Sequence, residues 1–491
     1  MLFLVKLFPE ITIKSRAVRR RLVRLLRKNI RSVLQAFEDQ LRVSGEWDVI
    51  EVEIDCAADG PEVLDKLRHI PGIASILEVR KYPLPDFEGM LEMAMEHYGE
   101  QLRGKTFAVR CKRSGRHAFR SVDVETFVGA GLKRLTESAG VDLGAPEVLV
   151  PLEIRHEEFH VVLHRRPGLG GFPLGGQGSA LSLISGGFDS AVSSFLTMRR
   201  GLQTHFCFFN LGGDTHRLAV QELALYLWMK YHASHRVKFV TVPFEDVVRE
   251  ILEKVENSQM GVVLKRMMLR AADRIAGEVG AEALVTGESV AQVSSQTLTN
   301  LSVIDNVADN LVLRPLATTD KQQIIDLART IGTEEFSRHI PEYCAVISDK
   351  PTTKARPGRI EREESRFDFA VLDAALAKAS IQLITDIAFF ESGGDEGGRT
   401  DEITVTSEPG PEDIVIDIRH ESEQGAQPPA LREAAGEQLL HIPFYRLRGD
   451  FEKLDRGPRY LLYCERGMIS RLHAAHLMDS GFDNVAVLDP D

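Results

Sequence analysis

From position 18 onward the apolar residues fall at helical spacing: Val18, Leu22, Leu25, Leu26, Ile30, Val33, Leu34 and Phe37. The pattern predicts one long amphipathic helix opening at Ser15. Residues 2–8 before it read as a strand, and 49–54, 61–67 and 74–79 as strand, helix and strand, which makes residues 1–80 a small α+β unit. Residues 81–166 form a second module, with a helix from 87, a strand at 106–111, a helix at 122–135 and strands at 148–154 and 159–164. Farther on, strand patterns at 181–184, 205–210, 237–242, 283–286 and 311–316 alternate with helical ones, notably 262–275. Such alternation over 180–390 predicts a doubly wound, mainly parallel α/β domain, whose ligands bind beyond the carboxyl ends of its strands. Strands at 414–419 and 460–463 and a helix at 471–479 give a last α/β domain over 404–491. Two stretches read as linkers: 167–179, crowded with glycine, and 391–403, where no apolar side chain occurs from Glu391 to Glu402.

Composition narrows the class. A chain of 491 residues with 43% hydrophobic and 27% charged residues is that of a multidomain globular protein. The uncharged tract at 167–188 is broken by glycines, so no segment spans a bilayer, and the front lacks the order of a secretory signal. An Arg-rich presequence is disfavoured by the strand ahead of the arginines, and a cytoplasmic protein without membrane contact is expected. Five scattered cysteines with no Cys-x-x-Cys pair exclude a disulfide framework and a zinc ribbon, and no metal-ligand set is expected. The net charge of −12 hides an asymmetry. Residues 1–34 hold ten Lys/Arg and one acid, 103–120 hold seven Lys/Arg and none, and 391–440 hold thirteen acids against three arginines. The basic front is expected to meet a polyanion.

The most specific chemistry lies at 181–190, Leu-Ser-Leu-Ile-Ser-Gly-Gly-Phe-Asp-Ser, read as a buried strand, a glycine turn and a helix start. Paired glycines let backbone N–H groups converge on an anion, and the helix N-terminus adds its positive end. The hexapeptide Ser185–Ser190 resembles the pyrophosphatase loop of enzymes that adenylate a substrate. A glycine turn after any buried strand is the bland alternative, and the complete hexapeptide in this context argues against it. Gly99-Glu-Gln-Leu-Arg-Gly104-Lys105-Thr106 also spells a Walker A loop, but a helix precedes it and a strand follows. That order is the reverse of what phosphate binding needs. It reads as a helix-to-strand turn.

Cys464 ends the buried strand 460–463 and opens a loop into a helix, where backbone N–H groups and the dipole favour a thiolate; Arg466 adds a cation. Cys56, Cys111 and Cys207 read as buried structural cysteines. With Asp417-Ile-Arg419 upstream, the last domain resembles a rhodanese-type sulfurtransferase domain, whose cysteine carries a persulfide. The rival, a Cys-x5-Arg phosphatase, fails by one residue, because Ser470 stands where its arginine belongs and Arg471 follows. Cys344, in Pro341-Glu-Tyr-Cys-Ala, is a candidate resolving thiol beside such a partner.

Arg16, Arg20 and Arg24 belong to a helix almost without acids. A solvated basic face is the usual meaning of such a run, but missing intrahelical partners favour phosphate contact. Arg110, Lys112, Arg113, Arg116 and Arg120 cluster around the turn of the second module. That module resembles a THUMP domain, for which folded RNA is the expected target, with phosphate contacts giving affinity and orientation.

The order ferredoxin-like unit, THUMP, pyrophosphatase loop and rhodanese resembles the long form of the bacterial tRNA uridine 4-sulfurtransferase (4-thiouridine synthetase) family over essentially the whole chain. Segments 6–15, 183–190, 261–268, 293–301 and 341–344 carry the match. The resemblance implies ATP as substrate with Mg2+ and no permanently bound cofactor. It implies backbone at Leu183 and Ile184 on adenine, and Ser185, Gly186, Gly187 and Ser190 around pyrophosphate. Lys265, Gly287 and Gln296 would complete the ATP site, with Asp189 and Lys321 in the activation chemistry. A Cys464 persulfide would then convert uridine 8 of tRNA to 4-thiouridine, with Cys344 closing a disulfide. Implied partners are tRNA, a cysteine desulfurase, the sulfur-carrier protein of thiamine thiazole synthesis and a thiol reductant; a homodimer is left open. Three alternatives stand beside this: a sulfur carrier serving mainly thiazole synthesis, a noncatalytic RNA-binding scaffold, disfavoured because both reactive loops are intact, and a different RNA-modifying adenylase of the same loop class.

Overall fold

The computed structural model describes residues 1–45, 49–211, 213–340, 348, 350–390, 403–419, 431, 439–464, 468–479 and 481–489. The chain divides into two units, Met1–Phe172 and Pro173–Asp491.

In the first unit the described strands are β1 (Leu2–Leu7), β2 (Leu41–Ser44), β3 (Val49–Ile54), β4 (Ile73–Pro83), β5 (Thr106–Ser114), β6 (Gly140–Val141), β7 (Val148–Arg155) and β8 (Glu158–Pro167). They form one sheet in the order β2-β3-β1-β4-β8-β7-β5-β6. Its first four strands pair antiparallel, the ferredoxin-like arrangement. Alternation on β1 explains the packing. Phe3, Val5 and Leu7 meet Leu22, Leu26 and Ile30 of the helix Arg16–Val33, while Leu4 joins Leu77 and Val162. In the other half, β5 pairs parallel with β6 and β7, and the helices Phe87–Tyr98 and Ser121–Leu135 cover a separate core around Phe107 and Phe159. The segment with the Walker A spelling lies between the helix Phe87–Tyr98 and β5. It is a helix-to-strand connection.

Two expectations are revised here. The strand expected at 74–79 continues to Pro83 and pairs with both β1 and β8, so the boundary expected after residue 80 falls inside a strand. The polar Arg80 and Lys81 end the apolar alternation, yet Lys81 stays in register, 2.5 Å from Glu158 and 3.6 Å from Glu51. The glycine stretch expected as a linker is packed through its first half. Gly168 and Gly170 donate to Ala74 and Ile73, and Phe172 is buried against Phe8. A Cβ on Gly168 would stand 2.4 Å from the Ile73 carbonyl oxygen, so glycine there serves close approach rather than freedom.

The second unit carries β9 (Ser179–Leu183), β10 (Gln203–Asn210), β11 (Lys238–Pro243), β12 (Ala283–Val285), β13 (Leu311–Leu313) and β14 (Ser380–Leu383), ordered β13-β12-β9-β10-β11-β14. Every pairing is parallel except β11 with β14, a short edge strand without a sequence signal. The helix Met260–Val279 packs one face through Val263, Met267 and Ile275. The helices Phe188–Arg199, Gly213–Tyr231 and Lys321–Ile331 pack against one another as a separate layer. Because β10 and β12 flank β9 on opposite sides, the strand order reverses at the carboxyl end of β9, and a crevice opens there.

The last described sheet has β15 (Val405–Thr406), β16 (Ile414–Asp417), β17 (Leu439–His441), β18 (Tyr460–Tyr463) and β19 (Val485–Leu488). It is wholly parallel, ordered β15-β19-β18-β16-β17, with fully buried Leu461 and Leu462 at its centre. Among the described residues no helix is long and apolar enough to cross a membrane.

Candidate active site

The crevice beyond β9 is a cavity of about 220 Å³. Its walls combine Leu183, Ser185, Gly187, Asp189 and Ser190 from the loop after β9 with Lys265 from the long helix. Gly287 and Gln296 close it from the segment after β12. Ile184 and Gly186 belong to the same loop but are not among the residues that line the cavity. Ile184 is buried and its N–H is already donated to the Cys207 carbonyl, so only its carbonyl is left for a ligand. Gly186 takes φ +86°, and a Cβ there would meet the Ile340 side chain at 2.4 Å. Glycine is demanded on both counts.

Ser190 organises the turn. Its hydroxyl accepts from the Ser185 N–H at 3.1 Å and donates to the Gly187 carbonyl at 3.0 Å, which holds the loop open above the helix Phe188–Arg199. The strand-turn-helix geometry leaves the helix N-terminus facing the cavity, where an anion is favoured. Gly287 presses on this loop from the other side. A Cβ on it would stand 2.6 Å from the Asp189 carbonyl carbon and 2.7 Å from the Ser190 nitrogen.

Asp189 is held at both oxygens. Lys321 Nζ lies 2.8 Å from Oδ1, and Gln292 Nε2 donates to Oδ2 at 2.7 Å. Lys321 also sits 5.5 Å above the Phe188 ring. Deeper in, Lys265 Nζ is 2.6 Å from Glu288 Oε1, and Arg314 Nε donates to the other oxygen at 2.8 Å while binding Asp305 through its two terminal nitrogens. Burial alone pushes the Glu288 carboxyl up; the charges and hydrogen bonds of Lys265 and Arg314 outweigh it and hold the group below its ordinary value. Glu288 and Gln292 lie where the sequence puts a ligand-binding strand end but assigns them no role, and Arg314 and His216, a cavity residue, are not expected from it at all. Glu288 follows Gly287 directly and was legible in principle, whereas Arg314 and His216 carry no local signal.

Cys464 stands at the carboxyl end of β18. Its sulfur accepts from the Ser470 N–H at 3.3 Å and lies 3.1 Å from the Ser470 hydroxyl, in the first turn of the helix Met468–Asp479. A backbone donor at a helix start is what a thiolate requires. Asp417 and Arg419 form a bidentate pair of 2.9 and 2.7 Å, and the guanidinium lies 5.6 Å over the Tyr463 ring, fastening the end of β16 to that of β18. Cys344 and Arg466 lie outside the described residues. Burial pushes the Cys111 thiol up to about 11 and raises that of Cys207, as inert thiols should be. Cys56, expected buried, is partly exposed after the end of β3.

The basic residues of the first unit divide by role. Arg16, Arg20 and Arg24 lie four apart and exposed on one helix face, and Lys112 and Arg116 are exposed beyond the core of the other half. Arg110 donates to the Leu143 carbonyl at 2.7 Å, Arg113 bonds His117 at 3.0 Å, and Arg120 caps its helix with Asp123. Those three already serve the fold.

Comparison with known proteins bears on this geometry. The family described as Thiamine biosynthesis protein (ThiI) matches residues 175–369, the ThiI ferredoxin-like domain residues 2–76 and the THUMP domain residues 86–164. The tRNA sulfurtransferase of Pseudomonas aeruginosa is 53% identical over 493 residues, covering 100% of both chains. The chain belongs to the tRNA sulfurtransferase family. That of Azotobacter vinelandii is 52% identical, again over the whole of both chains. The crystal structure of a 4-thiouridine synthetase–RNA complex with bound ATP aligns at TM-score 0.67 and 26% identity, covering 78% of this chain and 99% of that one. A Pyrococcus horikoshii protein, PH1313, shares the fold at TM-score 0.53 and 18% identity, covering 68% of this chain and 100% of that one. As a tRNA sulfurtransferase-family enzyme, the chain carries ferredoxin-like and THUMP modules in one unit and the parallel-sheet domain with the cavity in the other.

Proposed function

We propose that this enzyme uses ATP to activate O4 of uridine 8 in tRNA and replaces that oxygen with sulfur carried on Cys464, giving 4-thiouridine. The observation carrying this reading is the joint presence, in one unit, of the loop cavity around Asp189 and a cysteine accepting a backbone N–H at a helix start. The relative whose structure holds RNA and ATP together supports the choice of substrates.

Uridine O4 is a poor leaving group. Its attack on the α-phosphorus forms the O4-adenylate and expels pyrophosphate, which the loop N–H groups and helix start would receive, with Ser185, Gly186, Gly187 and Ser190 around it. Leu183 and Ile184 would hold adenine through their backbone, and Lys265, Gly287 and Gln296 would complete the nucleotide site. Asp189 offers the hard oxygens that Mg2+ takes, and that ion would supply charge neutralisation at the phosphates. Lys321 places a second cation at the same carboxylate.

The C-terminal domain reads as rhodanese-like. A cysteine desulfurase, a separate protein, would load Cys464 with a sulfane sulfur. The terminal sulfur displaces AMP at C4, leaving a disulfide link to Cys464. Attack by the Cys344 thiolate on the Cys464 sulfur then frees 4-thiouridine and forms a Cys344–Cys464 disulfide. Two electrons from a thiol reductant reopen it. The thiamine description of the matching family supports a second use, in which the same cysteine passes sulfur to the carrier protein of thiazole synthesis.

Nucleoside mass spectrometry of tRNA incubated with enzyme, ATP and a persulfide donor tests the scheme. 4-Thiouridine is expected with the wild type and absent with Cys464→Ala and Asp189→Ala. Undiminished product with Cys464→Ala would remove the relay.

A further inference from the structure

The Asp189 carboxylate, when ionised, only accepts hydrogen bonds, so the Gln292 amide beside it must present its NH2 group there. The orientation of the amide is thereby fixed by its partner. Its carbonyl oxygen, Oε1, is buried and accepts no hydrogen bond among the described residues. A buried acceptor left in this state calls for an explanation, and a ligand donor is one.

The backbone has been bent to produce it. Ala291, immediately before Gln292, takes φ +68°, the left-handed region that residues with a side chain seldom occupy. The loop is tied in this shape by Ala291 N–H to the Gln296 carbonyl at 3.0 Å, Gln296 N–H to Val293 at 2.9 Å and Gln292 N–H to Ser289 at 3.3 Å. Strain held by surrounding structure is characteristic of functional sites.

Lys321 and Gln292 grip the two oxygens of one carboxylate, so an ammonium donor and an amide whose acceptor is still unused meet at one carboxylate at the edge of the phosphate loop. Uracil offers the complement on adjacent ring positions, an acceptor at O4 and a donor at N3–H. Cytosine offers the reverse, an amino donor at C4 and an acceptor at N3. We propose that Gln292 is the residue that selects uracil, its Oε1 accepting the N3–H, with Lys321 addressing O4 of the same edge. This deepens the proposed function and rests on it. Gln292 then acts on specificity, and by fixing Asp189 it also positions the carboxylate.

The test uses the full chain, ATP and tRNA transcripts carrying uridine or cytidine at position 8. RNA-dependent pyrophosphate release and ATP affinity are measured for wild type, Gln292→Ala and Gln292→Glu. For Gln292→Ala a fall on the order of 30- to 100-fold in kcat/KM for the uridine transcript is expected, because a site built to bond a substrate group discriminates strongly. ATP affinity should fall far less than kcat/KM, because no direct nucleotide contact is removed and Lys321 still holds Asp189. The cytidine transcript, a weaker competitor than the uridine one for wild type, should close most of that gap for the variant, with Lys321 left as the only discriminating group at ring position 4. Gln292→Glu, isosteric with glutamine only when protonated, should recover activity as pH is lowered from 8 to 6, since the neighbouring Asp189 raises its pKa. Lost ATP binding in Gln292→Ala, undiminished discrimination against cytidine, or no recovery of Gln292→Glu in acid would each overturn the inference. A wild type that releases no pyrophosphate with the uridine transcript would instead overturn the proposed function.

Discussion

His473 Nε2 lies 2.7 Å from Glu222 Oε1, which joins the cysteine-bearing domain to the domain of the loop cavity. His473 stands one turn beyond Ser470, the partner of Cys464. Glu222 stands six residues beyond the cavity residue His216 on the helix Gly213–Tyr231, a rise of about 9 Å. Beside the pair, Phe444 packs on Phe336 with ring centroids 4.6 Å apart, and Tyr226 on Phe336 at 5.1 Å. The aromatic contact carries more of this interface than the ion pair. Truncating a buried phenylalanine costs about 3–5 kcal/mol, whereas a largely buried hydrogen bond to a charged group gives about 1.5–3 kcal/mol. Phe444→Ala should therefore speed hydrogen exchange in the helix Glu334–His339 and slow sulfur passage to tRNA, with pyrophosphate release unchanged. Glu222→Ala, which leaves the buried His473 without this partner, should act in the same direction but more weakly. Equal exchange in wild type and Phe444→Ala would show that the contact does not hold the domains together.

Glu288 is the hinge of the buried charge network. It neutralises Lys265 and shares Arg314 with Asp305, so removing it takes the carboxylate from Lys265 and leaves Arg314 with Asp305 alone. Glu288→Ala should lower stability by about 3–5 kcal/mol, since breaking one partner of a buried pair leaves uncompensated charge. Glu288→Gln keeps the shape and loses the charge, so its unfolding midpoint in urea should fall less. A urea titration of both variants with and without ATP separates the effects. ATP phosphates supply anions where Glu288 did, and the nucleotide should restore part of the loss in Glu288→Gln. No difference between the two variants would argue that shape alone matters there.

Gly287→Ala tests the loop by a single methyl group. Its Cβ would overlap backbone atoms of Asp189 and Ser190 rather than a yielding side chain, so the loop itself must move. Overpacking costs about 1–3 kcal/mol. The expected result is a folded protein with ATP affinity reduced more than tenfold, read by calorimetry. An unchanged affinity would mean that the loop can shift without cost.

Much of this was legible because the informative signals are local. A strand entering Ser185-Gly-Gly-Phe-Asp-Ser190 announces its own turn, since the glycines and Ser190 hydroxyl act within six residues. Cys464 announces itself in the same way through the strand before and helix after. Contacts that depend on chain separation were not legible. Gln292 reaches Asp189 across 103 residues, and Arg314 reaches Glu288 from another strand end. Polar residues inside strands misled the reading at Arg80 and Lys81, where the cross-strand ion pairs of Lys81 replace apolar alternation. At Gly168 the error was of another kind, because composition shows glycine without showing what lies 2.4 Å away.

Two buried histidines set an acid limit on stability. His205 Nδ1 accepts the Lys238 N–H at 3.1 Å, and His232 Nε2 accepts the Thr204 N–H at 3.0 Å, so each ring must keep a nitrogen without a proton. Burial, with the Lys238 charge, pushes His205 down to about 4; burial, with His235 and His205 nearby, pushes His232 down to about 3. Above pH 6.5 both are neutral folded or unfolded, and their contribution is complete. Below that the unfolded chain binds protons that the folded one excludes, so stability falls with pH by about 1.4 kcal/mol per unit for each ring until the folded value is reached. At pH 5 the two together should cost about 4 kcal/mol relative to pH 7. His205→Asn, a neutral side chain that can still accept from Lys238, should be less stable at pH 7 yet lose about half as much on acidification. Urea unfolding of both proteins from pH 7 to pH 5 checks this, and parallel pH dependence in the two would show that His205 takes up its proton without unfolding.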